Sequence, residues 1–167
     1  RTKSSLFTVQ ERISMITEVV AKFPNVFPTV FPEFQSLAKL WNRGALTSSC
    51  SRTLVLNDDL DLKAENGVCF FDLLENAMET QSGTFTINGS FSHFILDKRQ
   101  LIDVGFFDER LLGLGEEDGD FYWRFYKKYK TVIPNIDMGL VDNVHSDLAD
   151  DGYVKGIRTA SKFNRDF

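Results

Sequence analysis

Thr53-Leu54-Val55-Leu56-Asn57-Asp58-Asp59-Leu60-Asp61 joins a short apolar run to a cluster of oxygen side chains, and its reading decides the fold. A run this short, rich in branched residues, reads as a buried strand at the centre of a sheet. Acceptor side chains directly behind it stand in the crevice at the strand's carboxyl end, where open α/β sheets bind ligands. Hard divalent cations prefer carboxylate oxygens, and Mg²⁺ is usually held by one or two of them together with substrate phosphates. The strand end therefore suggests a metal–phosphate site. The bland alternative is a solvated turn, because Asn and Asp bond their own local backbone in turns. A turn, however, needs no apolar strand leading into it.

The bulk properties suit a soluble globular fold. The chain has 167 residues, enough for one domain with a real core, and is 43% hydrophobic and 26% charged. Sixteen phenylalanines are more than a surface can carry, so most belong to that core. A net charge of −5 weighs against non-specific nucleic-acid binding, which needs a basic surface. No apolar stretch is long enough to cross a bilayer, and no signal peptide opens the chain. The first residue is Arg, so the expectation is a fragment, a processed form or part of a longer protein. Cys50 and Cys69 are expected as two reduced, buried thiols, with one disulfide as the alternative; their spacing fits no zinc motif.

Outward from the opening stretch, local signals place the other elements. Thr8-Val9-Gln10-Glu11 has the form of a capping box, followed by Ile13, Ile16, Val20 and Phe23 at helical spacing and a stop at Pro24. Residues 25–34, rich in proline, read as an irregular edge strand or loop. Ser36 is expected to cap a second helix that buries Leu37, Leu40, Trp41, Gly44 and Ala45. Residues 70–78 read as a helix, and 84–88 and 91–96 as strands. Asp97 caps a short helix ended by Gly105, and 113–115 form a flexible loop. An amphipathic helix runs from Glu117 to about Tyr129, with late strands at 131–135 and 139–144. The whole reads as one mixed α/β domain over residues 1–167, with a mobile tail over 146–167.

Three further groups could carry chemistry. Gly115-Glu116-Glu117-Asp118-Gly119-Asp120 puts four carboxylates at a helix start, where the helix dipole should keep them ionised. A rigidly held, ionised carboxylate can act as general base toward a hydroxyl; the alternative is helix capping, which needs only one of the four. His145, behind the apolar stretch 139–144, is a metal-ligand candidate set against an ordinary hydrogen-bonding histidine. His93, alternating with Phe91 and Phe94, reads as structural. Asn88-Gly89-Ser90 ends a strand, and its glycine permits close approach of backbone to a ligand, with a tight turn as the alternative.

Taken in order, these pieces resemble the catalytic part of a GT-A glycosyltransferase, of the family 2 or galactosyltransferase family 7 type, over about Gln35 to His145. Ser36-Leu37-Ala38-Lys39-Leu40-Trp41-Asn42-Arg43-Gly44 is similar to the family's helix with Asn-x-Gly. Leu54-Val55-Leu56-Asn57-Asp58-Asp59 resembles its DxD motif in an Asn-x-Asp variant. Val104-Gly105-Phe106-Phe107-Asp108-Glu109 resembles its Gly-Phe-Asp-Glu segment, and Gly115 to Arg124 its Glu-Asp-x-Asp…Arg motif. The resemblance implies a nucleotide-diphospho-sugar transferase fold, a mixed sheet flanked by helices. Residues 1–34 would be a remnant of the nucleotide-binding half, because only Arg1–Phe7 precedes the first helix. That half would then be in part missing from this chain.

The resemblance also assigns roles. Asp59 would be the main ligand of a divalent metal, Mn²⁺ or Mg²⁺, with Asp61 in reserve and His145 as a late metal ligand. Asn57 and Asp58 would contact the nucleotide ribose or metal-bound water, and Gly89 and Ser90 the donor sugar or acceptor. Asp118 would deprotonate the acceptor hydroxyl and Glu117 would orient donor or acceptor. The implied reaction is transfer from a nucleotide sugar, by default a UDP-sugar, to a carbohydrate or glycolipid hydroxyl, with inversion. The expected place is the cytoplasm with peripheral membrane association, or else the Golgi lumen. A carbohydrate- or nucleotide-binding module without turnover is the alternative; a phosphoryl-transfer enzyme would need a glycine-rich phosphate loop that is not present.

Overall fold

The computed structural model describes residues 8–29, 31, 33, 35–57, 60–111 and 115–143. The chain divides into two compact units, 1–35 and 36–167. In the first, α1 (Val9–Val20) opens on the expected capping box: the Glu11 N–H donates to Thr8 Oγ1, and the Thr8 N–H donates to the Glu11 carboxylate at 2.7 Å. Ile16 and Phe23 on its apolar stripe are exposed. The described residues between 25 and 33 carry no strand.

The second unit opens with α2 (Leu37–Thr47), followed by β1 (Arg52–Leu56), β2 (Leu60–Leu62), β3 (Ala64–Glu65), β4 (Val68–Cys69) and α3 (Phe70–Thr80). Then come β5 (Phe85–Ile87), β6 (Ser90–Asp97), α4 (Lys98–Val104), α5 (Glu117–Tyr129), β7 (Asn135–Ile136) and β8 (Val141–Asn143). The main sheet has the order β1-β6-β5-β7. Its first three strands are antiparallel and β7 runs parallel to β5, so the sheet is mixed. Strands β2 and β8 form a separate antiparallel ribbon, and β3 and β4 a small hairpin.

Strand alternation divides the core into two layers. Phe94 and Leu96 of β6 pack on one face against Trp41 of α2, Leu101 of α4 and Phe121 and Phe125 of α5. Ile95, between them, joins Phe85 and Ile87 on the other face with Phe70 and Leu74 of α3 and Val141 of β8. The register matches: Val55 pairs with Phe94 and Leu54 with Ile95, each pair sharing a layer. The result is a mixed sheet with helices on both faces, the GT-A-like arrangement expected.

Several expectations need correction. β1 is an edge strand among the described residues, not a central one, and most of it is half-buried. It pairs with β6 on one side only; the other side borders a groove of about 500 Å³ lined by Trp41, Ala45 and Val55 among others. The buried face of α2 consists of Ala38, Trp41, Asn42 and Ala45, while Leu40 and Gly44 face outward. Ser36 stands at the N-cap without a capping hydrogen bond. Residues 131–134 are not a strand: the helix ends in a left-handed Lys130 (φ 57°), and Pro134 has no N–H to give a ladder. Its carbonyl instead accepts from Thr86 N–H at 2.9 Å. Both cysteines are free, as expected, but Cys50 is exposed and Cys69 half-buried. The expected loop at 113–115 and the tail lie largely or wholly outside the described residues.

Two Asn-Gly pairs make the tight turns. Asn66-Gly67 (φ 52° and 80°) joins β3 to β4, and Asn88-Gly89 (φ 51° and 69°) joins β5 to β6. Positive φ at both central residues matches the right-handed twist of the flanking strands, and Asn-Gly adopts it at least cost. Asn88 is held on both sides: its Nδ2 donates to Met138 O at 2.8 Å, and its Oδ1 accepts from Met138 N–H at 2.7 Å.

Candidate functional site

Asn57 follows β1 directly, and its N–H donates to the Ser92 carbonyl at 2.8 Å. That bond ties the end of β1 to the start of β6. There Ser90 Oγ lies 2.6 Å from Ser92 Oγ, which lies 2.8 Å from His93 Nδ1. His93 is 4% exposed and pairs with Leu56, the last residue of β1. Asn57 and Ser90, far apart in the chain, therefore meet at one end of the sheet through a short polar chain. Gly89 stands beside them in the hairpin turn. Its N–H is used by Asn135 Oδ1 at 2.5 Å, and its positive φ accounts for a glycine at that position.

Ring contacts give the direction in which α5 runs. Phe121, one turn into the helix, stacks on Phe107 with ring centroids 4.3 Å apart, and Phe107 lies 6.4 Å from Phe91 at the start of β6. At the other end of the helix the Tyr129 hydroxyl donates to Asp103 Oδ2 at 2.8 Å, and Tyr129 shares a small cavity with Asp97, the last residue of β6. Helix α5 thus runs alongside β6 in the same direction. Its first turn, with Glu117 and Asp118, lies toward the end where β1 stops. The positive end of the helix dipole faces that region, which favours an anionic ligand or an ionised base.

The four acids at this helix start differ in what they do. Asp120 is engaged by Arg124, with Nη2 to Oδ2 at 2.6 Å, and Arg124 Nη1 also donates to Val104 O. Asp118 is half-buried, and its Oδ1 accepts the Gly119 N–H at 2.8 Å. Glu117 is 6% exposed, and burial pushes its carboxyl above the usual range, aided by the neighbouring charges of Asp118 and Glu116. Backbone bonds from Glu117 and Gly115 oppose that rise. At Glu117 desolvation is the largest influence, and it works against the ionised form that the helix start favours. Gly115 (φ 105°) and Glu116 (φ 75°) hold the left-handed turn that launches the helix.

The expected metal ligands are less fully placed. Asp61 is exposed on β2, opposite Asp142 of β8. Lys63 forms an ion pair with Asp142, which raises the Lys63 pKa, with a smaller contribution from Asp61. Among the described residues no three His, Cys, Asp or Glu side chains gather as a metal ion would need. Asp58, Asp59 and His145 lie outside the described residues. The described frame around them is definite: Leu60 and Asn143 face each other across the β2–β8 ribbon. Asp59 is the residue before Leu60, and His145 comes two after Asn143.

Two features escaped the sequence reading. Asn42 is 2% exposed and bonds to the backbone of Phe107, 65 residues away. The available signal was its place beside Trp41 on a face that also buries Ala38 and Ala45. Ser92 and His93 join the polar chain next to Asn57, and nothing in their alternation with aromatics distinguished them. Among the aromatic residues, Phe94 and Phe107 belong to the core, whereas Tyr122 and Trp123 are exposed, with Lys127 Nζ 3.5 Å from the Trp123 ring centroid.

No helix among the described residues is long and apolar enough to cross a membrane. A family model described as Glycosyltransferase like family 2 matches residues 36–157, which covers most of the second unit. No curated protein matches the chain.

Proposed function

The chain belongs to the glycosyltransferase-like family 2, and from that premise we propose that it transfers a sugar from a nucleotide-diphosphate donor, a UDP-sugar, to an acceptor hydroxyl with inversion. The observation that supports this reading is that β1 ends, at Asn57, toward the same end of the sheet at which α5 begins. A donor bound at the strand end and an acceptor at the helix start would face each other there. Asp118, half-buried and reachable, takes the acceptor proton as that hydroxyl attacks the anomeric carbon. Glu117, buried beside it, orients the sugars. Asn57 and Asp58 serve the nucleotide, and Gly89 and Ser90 border the sugar.

A divalent cation, Mn²⁺ or Mg²⁺, would supply charge neutralisation at the leaving diphosphate. Asp59 is the residue proposed to hold it, with His145 and Asp61 as further candidates. The acceptor is a carbohydrate or glycolipid. One base suffices for inversion, and no separate carboxylate is assigned to a double displacement.

Replacing Asp118 tests the reading. Asp118→Asn should lower turnover of UDP-hexoses by roughly a hundredfold to ten-thousandfold, the usual worth of a general base. Donor binding, measured by calorimetry, should persist. Full turnover in that variant would remove Asp118 from the reaction. Donor binding with no turnover in the native protein would favour a binding module instead.

A further inference from the structure

Asn42 is the polar side chain on the buried face of α2, and its amide makes three hydrogen bonds. The Phe107 N–H donates to Oδ1 at 3.0 Å, while Nδ2 donates to Phe107 O at 2.9 Å and to Glu109 Oε1 at 3.0 Å. The side chain thereby pairs with the Phe107 backbone as a neighbouring strand would. The residue just before Phe107 is strained: Phe106 (φ 66°) is left-handed without being glycine, and such backbone persists only where its surroundings hold it. Phe107 in turn stacks its ring on Phe121, one turn beyond Glu117 and Asp118.

We propose that Asn42 is a positioning residue: by fixing Phe107 it sets where the first turn of α5 presents Asp118 to the acceptor. This rests on the reading of Asp118 as base. A misplacement of about 1 Å, far from the chemistry, can cost on the order of a hundredfold in rate. A buried amide hydrogen-bonded to both backbone groups of Phe107, next to the left-handed Phe106, is a means of preventing it.

Two variants test this, with UDP-hexose turnover in the presence of Mn²⁺ as the assay. Asn42→Ala should lower kcat by roughly tenfold to a hundredfold, with donor Kd changed by no more than about twofold. Asn42→Asp keeps the acceptor for Phe107 N–H but sets a carboxylate oxygen against Phe107 O and Glu109. Only its protonated form can donate there. Its kcat relative to the native protein should therefore recover as the pH is lowered, a response that lost stability alone would not give to the folded enzyme. Unchanged kcat in folded Asn42→Ala, or a kcat ratio for Asn42→Asp that stays flat with pH, would overturn the proposal. If Asn42→Ala does not fold, the pH profile of Asn42→Asp decides. An inactive Asp118→Asn beside an unimpaired Asn42→Ala would sink this inference alone; a fully active Asp118→Asn would sink the base reading itself.

Discussion

Glu117 and Asp118 share one helical turn and differ in surroundings. Glu117 is enclosed, and desolvation raises its pKa above the ordinary glutamate value. The folded chain therefore binds more protons than the unfolded one between those two values, and stability falls as pH rises through that interval. Glu117's favourable contribution is complete below the ordinary value and gone above the raised one. Glu117→Gln should flatten that slope: in denaturant titrations at successive pH values, the variant should lose less stability than the native protein on going from acid toward neutral pH. Parallel slopes would show that burial does not penalise the charge. That acids open this helix was legible in the sequence. Which one is buried was not, because enclosure is set by tertiary packing rather than by the local sequence.

At the scale of elements, local chemistry was readable and pairing was not. The Thr8–Glu11 box and the Asp97 cap, which accepts the Gln100 N–H at 2.9 Å, formed as their residue types require. Asn88-Gly89 made the hairpin turn that was one of its two readings. A methyl group added at Gly89 would meet nothing within 4 Å among the described residues beyond its chain neighbours, so the cost of Gly89→Ala there is backbone strain. It should destabilise the protein by about 1 to 2 kcal/mol in equilibrium unfolding, the cost of a left-handed non-glycine residue. No loss would mean that the turn relaxes to another type. By contrast, the face of α2 was misjudged at Leu40 and Asn42. Apolar periodicity places Leu inside and Asn outside, but a hydrogen-bond partner far along the chain makes the buried Asn acceptable. The edge position of β1 was equally hidden: an apolar strand reads the same with one neighbour or two.

Across the whole molecule, the sheet separates two ends. One gathers Asn57, Ser90 and the start of α5. The other holds the network in which Lys128 and Tyr129 meet Asp103, with Tyr129 pushed up to about 12 by burial and by that carboxylate. The motifs were legible one by one, and that Asn57, Ser90 and the start of α5 lie toward one end emerges only from the direction of α5 along β6. A ligand that binds the folded state raises its stability in proportion to occupancy. UDP with Mn²⁺ should therefore raise the Tm, by an amount equivalent to about 2.7 kcal/mol at a hundredfold excess over Kd. Chelator should abolish most of the shift. An equal shift with and without chelator would argue against a metal-bridged diphosphate.

The two Asn-Gly turns should also age differently. Loss of ammonia from such a pair requires the asparagine carboxamide to swing onto the following backbone nitrogen. At position 88 the carboxamide is fastened to Met138 and the Gly89 nitrogen is engaged by Asn135, whereas Asn66 is exposed in the small β3–β4 hairpin. On prolonged storage, peptide mass mapping should find isoaspartate accumulating at Asn66 while Asn88 survives, giving the protein a built-in chemical clock on that hairpin.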